Sequence, residues 1–185
     1  MESFWISTGL VALAEMGDKT QLLALILASR FKKPIPIIVG ILVATLLNHG
    51  LAGALGAWIT ANIDPHWLRW GLGVCFIAMG FWALVPDKFN SGQTSLKGHW
   101  GVFGATFVLF FIAEMGDKTQ LATVALAAHY PNAIAVVLGT TLGMLIANVP
   151  AVLLGDKILS RMPMNRLRWA AATLFVGLGV WTFFQ

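Results

Sequence analysis

Two carboxylates and a lysine, spaced by three and four, occur twice in this chain. Positions 15 to 22 read EMGDKTQL, and positions 114 to 121 repeat the same eight letters. Glu15 and Asp18 are three apart, so a continuous helix puts them on one face, with Lys19 near it. Glu114, Asp117 and Lys118 repeat the pattern. If the two faces meet, four carboxylates make a compact set of oxygen ligands, the donors that hard cations such as Mn²⁺, Ca²⁺ and Mg²⁺ prefer. With all six groups ionised the sum is −2, which one divalent cation cancels. Neither copy contains Cys or His, which argues against a dedicated zinc or copper site.

The neighbours add lesser candidates. Thr20, Gln21, Thr119 and Gln120 offer neutral oxygens, although Gln21 lies well round from Glu15 on a regular helix. Gly17 and Gly116 weaken a helix by up to about 1 kcal/mol relative to Ala, and irregular backbone beside a transport site can offer carbonyls to a cation. His49 aligns with Asn148 in the repeat described below, and an imidazole could carry a coupling proton. A satisfied packing histidine is the plainer account, as interhelical hydrogen bonding is for Asn48 and Asn148. A purely structural alternative exists for the motif too: Glu15 and Lys19 as an ion pair that locks two halves together.

The surroundings make these charges expensive. The 185 residues are 58% hydrophobic and 11% charged, against about 25% charged in a soluble domain. Mean hydropathy is +0.79. A charge at the centre of a membrane helix costs roughly 2.5 to 3.5 kcal/mol, so six facing lipid would cost about 15 to 20 kcal/mol. Whole-protein stability is typically about 5 to 15 kcal/mol. Glu15, Asp18, Lys19, Glu114, Asp117 and Lys118 must therefore face one another or a wet cavity. Cys75 is single, so no internal disulfide forms, and it reads as inert packing.

Six apolar spans are expected, at 4–29, 36–60, 67–85, 101–128, 133–154 and 167–184. The first, at about 1.5 Å per residue, reaches about 39 Å, enough for a hydrocarbon core of about 30 Å. It lacks a basic start and contains Glu15, Asp18 and Lys19, so it reads as a span and not as a signal peptide. Trp5, Trp67, Trp82, Trp100 and Trp181 fall at span ends, as an interfacial belt does.

The repeat runs the length of the chain at an offset of 99 positions. Gly40 meets Gly139, Gly56 meets Gly155, and Gly80 and Trp82 meet Gly179 and Trp181. Leu68-Arg69-Trp70 meets Leu167-Arg168-Trp169. The expected organisation is a three-helix unit over 1–86, a cytoplasmic linker over 87–99 and a second unit over 100–185. An odd number of spans inverts the second unit. The fold class is thus an all-α integral membrane protein of six transmembrane helices in two inverted three-helix repeats. Alternate loops carry Arg30, Lys32, Lys33, Lys88, Lys97, Lys157, Arg161, Arg166 and Arg168; the other two hold only Arg69. The positive-inside rule makes the richer side cytoplasmic and both termini external. Those cations account for the pI near 9.6 without nucleic acid.

The E-x-G-D-K-[TS] pattern in both copies resembles the signature of a membrane family that includes Golgi-type Ca²⁺/Mn²⁺ transporters and bacterial manganese exporters of the MneA type. The likeness covers essentially the whole chain, and neither copy departs from the signature. It implies export of a divalent cation, Mn²⁺ first, from the cytoplasm across a bacterial inner membrane, with protons as counter-ion. It also implies Glu15, Asp18, Glu114 and Asp117 as the ligands. The residues by themselves support only a hard cation. A Ca²⁺/H⁺ antiporter and a passive divalent-cation channel stay open. No HExxH or GxSxG is present, so an intramembrane enzyme is not expected, nor any cofactor beyond the transported ion. Selectivity, stoichiometry and oligomeric state are not fixed by the sequence, and a homo-oligomer is left open.

Overall fold

The computed structural model of the chain describes residues 1–85, 101–155 and 163–184, and these are helical throughout, without strands. The helices are α1 (Glu2–Glu15), α2 (Lys19–Phe31), α3 (Pro34–Asn62), α4 (Pro65–Ala83), α5 (Val102–Glu114), α6 (Lys118–His129), α7 (Ala133–Leu154) and α8 (Met164–Phe183). The expected linker at 87–99 lies outside the described residues, as do Trp100, Lys88, Lys97, Lys157 and Arg161.

Four of the expected spans appear as single helices, α3, α4, α7 and α8. Local chemistry sets their ends. Pro34 and Pro65 occupy first-turn positions, where a missing N–H costs nothing. Asp64 caps α4 by accepting from the His66 N–H at 2.9 Å, and Asn132 caps α7 by accepting from the Ala135 N–H at 2.9 Å. α7 ends at Gly155, whose φ of +64° suits glycine. The other two expected spans are corrected: 4–29 and 101–128 are each broken at the motif, into α1 with α2 and α5 with α6.

α3 and α7 are long and apolar enough to cross a membrane, and α5 is a shorter apolar helix. α3 shows the matching distribution of side chains. Val43, Leu47, Leu51, Leu55 and Trp58 point outward, while Thr45, Asn48 and His49 are fully buried. Apolar outside and polar inside is the reverse of a soluble helix and suits a lipid surround. Trp5, Trp67, Trp82 and Trp181 are all exposed.

Helices meet through small residues, as membrane helices do. α1 lies on α7, where a methyl group at Gly139 or Gly143 would collide with the backbone of Phe4, Thr8 or Ala12. α5 lies on α3 at Gly40, the repeat mate of Gly139, against Thr106 and the Phe103 carbonyl. α4 and α8 pair with each other through Gly73, Gly80 and Gly179. The halves therefore interleave: the first part of each broken span packs on the long helix of the other half.

Two apolar clusters result. One joins α1, α4, α6 and α8 around Leu10, Phe76, Leu126 and Phe175. The other joins α2, α3, α5 and α7 around Leu27, Ile41, Phe110 and Ala151. The α1–α2 break leads from the first cluster to the second, and the α5–α6 break leads from the second to the first. Both motifs thus sit at the boundary, and the two broken segments cross it in opposite directions.

Candidate cation site

Each motif is a β-turn inserted between two helices. Met16 has φ −62° and ψ 116°, and Gly17 has φ +83°. The Asp18 N–H donates to the Glu15 carbonyl at 3.0 Å. Met115 (φ −62°, ψ 120°), Gly116 (φ +72°) and the Asp117 N–H to Glu114 carbonyl bond at 3.1 Å repeat this. These are type II turns, whose third residue needs positive φ and so selects glycine. The sequence reading of Glu15 and Asp18 as neighbours on one helical face is corrected accordingly. Glu15 ends α1, and Asp18 is the residue before α2 begins. The turn sends the two side chains to different partners, Glu15 to Thr20 and Asp18 to Lys118.

Glutamine braces each turn. Gln21 Oε1 accepts the Gly17 N–H at 2.8 Å, and its Nε2 donates to the Ala147 carbonyl of α7 at 2.8 Å. Gln120 Oε1 accepts the Gly116 N–H at 2.7 Å. The threonines hold the glutamates: Thr20 donates to Glu15 Oε2 at 2.6 Å, and Thr119 to Glu114 Oε2 at 3.2 Å. Gln21, Gln120, Thr20 and Thr119 thus shape the site with the very oxygens that the sequence offered as ligands.

The two copies are joined crosswise. Lys19 Nζ stands 2.5 Å from Asp117 Oδ1, and Lys118 Nζ stands 2.6 Å from Asp18 Oδ1. The lysine of each motif neutralises the aspartate of the other, in place of the Glu15–Lys19 pair within one copy. One carboxylate oxygen from each of Glu15, Glu114 and Asp117 lies within 4.8 Å of the others. Three of the four expected carboxylates therefore converge, while Asp18 stands outside that triple and holds Lys118. Glu15 Oε1, Glu114 Oε1 and Asp117 Oδ2 are buried with no hydrogen-bond partner among the described residues. Buried oxygens of this kind carry a large desolvation cost unless something satisfies them. A hard cation is chemically suited to three such oxygens.

His49 and Asn148 each make a hydrogen bond to a group other than the carboxylates. His49 is fully buried on α3, with Nδ1 2.9 Å from Thr140 Oγ1. Asn148 turns its amide onto the Met144 carbonyl one turn back, at 3.0 Å. Asn48 donates to the Phe111 carbonyl at 3.1 Å, tying α3 to α5 close to Glu114. Sequence reasoning missed the turns, although Gly before Asp in a polar break of an apolar run was a signal for them. It also missed Ala147, because a backbone carbonyl leaves no trace in residue type.

The two copies differ in cover. The space that a side chain at Gly17 would take is filled by the Met164 sulfur of α8, whereas the equivalent space at Gly116 is open. The Lys19 side chain is 25% exposed and that of Lys118 only 9%. α4 packs on α6 and α8 on α1, and neither leans comparably on α5 or α2 among the described residues.

Comparison with known proteins bears on this arrangement. The family described as "Divalent cation/proton antiporter GDT1" matches residues 3–91 and 102–185. A protein of Vibrio cholerae named "Putative manganese exporter" is 51% identical over 180 residues, covering 97% of this chain and 89% of its own length. A GDT1-like protein 3 of rice is 29% identical over 210 residues, covering 99% of this chain and 74% of its own. A GDT1-like protein of Synechocystis is also 29% identical, covering 90% and 89%. No solved structure matches the chain.

Proposed function

This chain belongs to the GDT1 family of divalent cation/proton antiporters, and from that footing we propose that it exports Mn²⁺ from the cytoplasm in exchange for protons. The observation that carries the reading is the convergence of Glu15, Glu114 and Asp117 from both motifs, each with a buried oxygen that has no partner among the described residues. The substrate ion binds these three, and Asp18 joins when Lys118 releases it. Manganese in particular is favoured by the name of the Vibrio cholerae relative. The donor set alone fits Ca²⁺ as well.

The protein crosses the bacterial inner membrane six times, as two inverted three-helix repeats with both termini outside. Two observations support this. The broken segments cross the boundary between the apolar clusters in opposite senses, and the loop cations concentrate on one side. Broken helices meeting near the bilayer centre are the usual setting for substrate sites in inverted-repeat transporters. A cation arriving from the cytoplasm displaces protons from the carboxylates. The repeats then rock, and protons from outside reclaim the carboxylates and expel the ion. Lys19 and Lys118 keep the aspartates neutralised between cycles.

Purified protein reconstituted in vesicles tests this, with Mn²⁺, Ca²⁺ and Mg²⁺ compared with and without a pH gradient. Uphill Mn²⁺ movement that collapses with the gradient is expected. Flux that runs only downhill, whatever the gradient, would instead mark a channel.

A further inference from the structure

A second charged feature lies away from the carboxylates and takes no part in the proposed transport chemistry. The end of α3, the start of α4, the end of α6 and the end of α8 line an open cavity of about 460 Å³. Its polar lining is Thr60, His66, Arg69, His129 and Thr182, and it contains no carboxylate among the described residues. The volume falls within the range of about 300–1,000 Å³ typical of small-ligand sites.

Arg69 is the anomaly. It is the only cation in either of the two loops expected outside, where the positive-inside rule disfavours it. It forms no ion pair among the described residues, where the two bridges are the crossed ones. Its Nε is shut off from solvent and has no hydrogen-bond partner among the described residues. The neighbouring acid, Asp64, is engaged in capping α4 through the His66 N–H. The threonine hydroxyls already donate elsewhere, Thr60 to the Gly56 and Ala128 carbonyls and Thr182 to the Leu178 carbonyl. What remains to face a ligand is a guanidinium and two imidazole rings, a set that suits an anion. An arginine fork matches a phosphate bidentately, and a histidine adds an N–H donor in either ring state. Trp67, Trp70 and Trp181 are exposed at the same end of the molecule, where an aromatic belt marks the headgroup level.

We propose that this cavity binds a phosphate group, held by Arg69 with His66 and His129, and so clamps α4 to α6 and α8. Its external position rests on the topology proposed above; its chemistry does not. A lipid headgroup and free phosphate present the same group, and the test separates them.

Unfolding midpoints are measured for wild type and Arg69→Gln in neutral detergent. Sodium phosphate is compared with sodium chloride at equal ionic strength, and phosphatidylglycerol with phosphatidylcholine. Wild type is expected to gain roughly 5 °C or more from the phosphate-bearing partner it uses. Arg69→Gln should gain none, and Arg69→Lys part of the effect. A gain from inorganic phosphate alone identifies a soluble ligand. A gain restricted to phosphatidylglycerol identifies a headgroup. An equal gain in wild type and Arg69→Gln, or none in wild type, overturns the proposal. Should Arg69→Gln fail to fold, His129→Gln and native mass spectrometry of retained phospholipid or phosphate provide the same comparison. Vesicle transport of Mn²⁺ is scored separately, so its absence counts against the transport reading and leaves the phosphate site standing.

Discussion

Lys118 places its ammonium 2.6 Å from Asp18, a residue of the other motif and 100 positions away. Lys19 and Asp117 mirror it. The lysine beside each aspartate is therefore supplied by the other half, and the carboxylate triple is assembled by the same engagement.

Breaking one crossed pair should be worse than removing it. Lys118→Gln takes the ammonium away from buried Asp18, at an expected cost of about 3–5 kcal/mol. The double variant Asp18→Asn with Lys118→Gln should recover much of that stability without recovering transport. Thermal unfolding beside vesicle flux checks both halves of the statement, and a double variant no more stable than Lys118→Gln would count against it.

Asp18→Asn and Asp117→Asn are each expected to abolish efflux while membrane insertion stays intact. Glu15→Gln and Glu114→Gln should abolish metal binding outright. Thr20→Val removes only the hydroxyl that orients Glu15, so affinity should fall by about 10- to 100-fold, the usual scale for a group behind a ligand. Calorimetric titration of purified protein with Mn²⁺ measures the binding, and manganese tolerance of expressing cells measures the efflux. Full tolerance with either Asn variant would contradict the assignment.

The turn glycines should not be equivalent. Both sit at positive φ, so Gly17→Ala and Gly116→Ala each carry a strain of about 1–2 kcal/mol. Gly17→Ala also meets the Met164 sulfur, whereas Gly116→Ala enters open space. The first should destabilise more, and Met164→Ala should rescue part of it and nothing at Gly116→Ala. A denaturation series of the three single variants and the two doubles with Met164→Ala reads the coupling.

Cation binding should release protons. Carboxylates that bind a metal must be deprotonated, so lowering the pH should weaken apparent Mn²⁺ affinity and raising it should strengthen it. Calorimetry in two buffers of different ionisation enthalpy counts the protons. A count of zero would remove the coupling on which antiport depends.

The residue types that matter were visible in the sequence because charge inside an apolar run needs a reason. The repeat followed from Gly40, Gly139, Arg69 and Arg168 keeping one offset. The break within each motif was less visible, since Gly17 and Gly116 read equally well as packing residues until an Asp N–H is seen on a Glu carbonyl. The crossing of Lys19 and Lys118 was not legible at all. Residue spacing describes one helix, and a partner 100 positions away is a property of how the helices meet. The same holds for Ala147, which contributes only its backbone.

Crosswise neutralisation also has a bearing on ancestry. A lone three-helix unit would carry an aspartate and a lysine whose complements it does not possess, so it could not have been competent by itself. Two identical units inserted in opposite orientations would supply each other with both. Separately expressed halves of the present chain should therefore bind the cation only when they are combined.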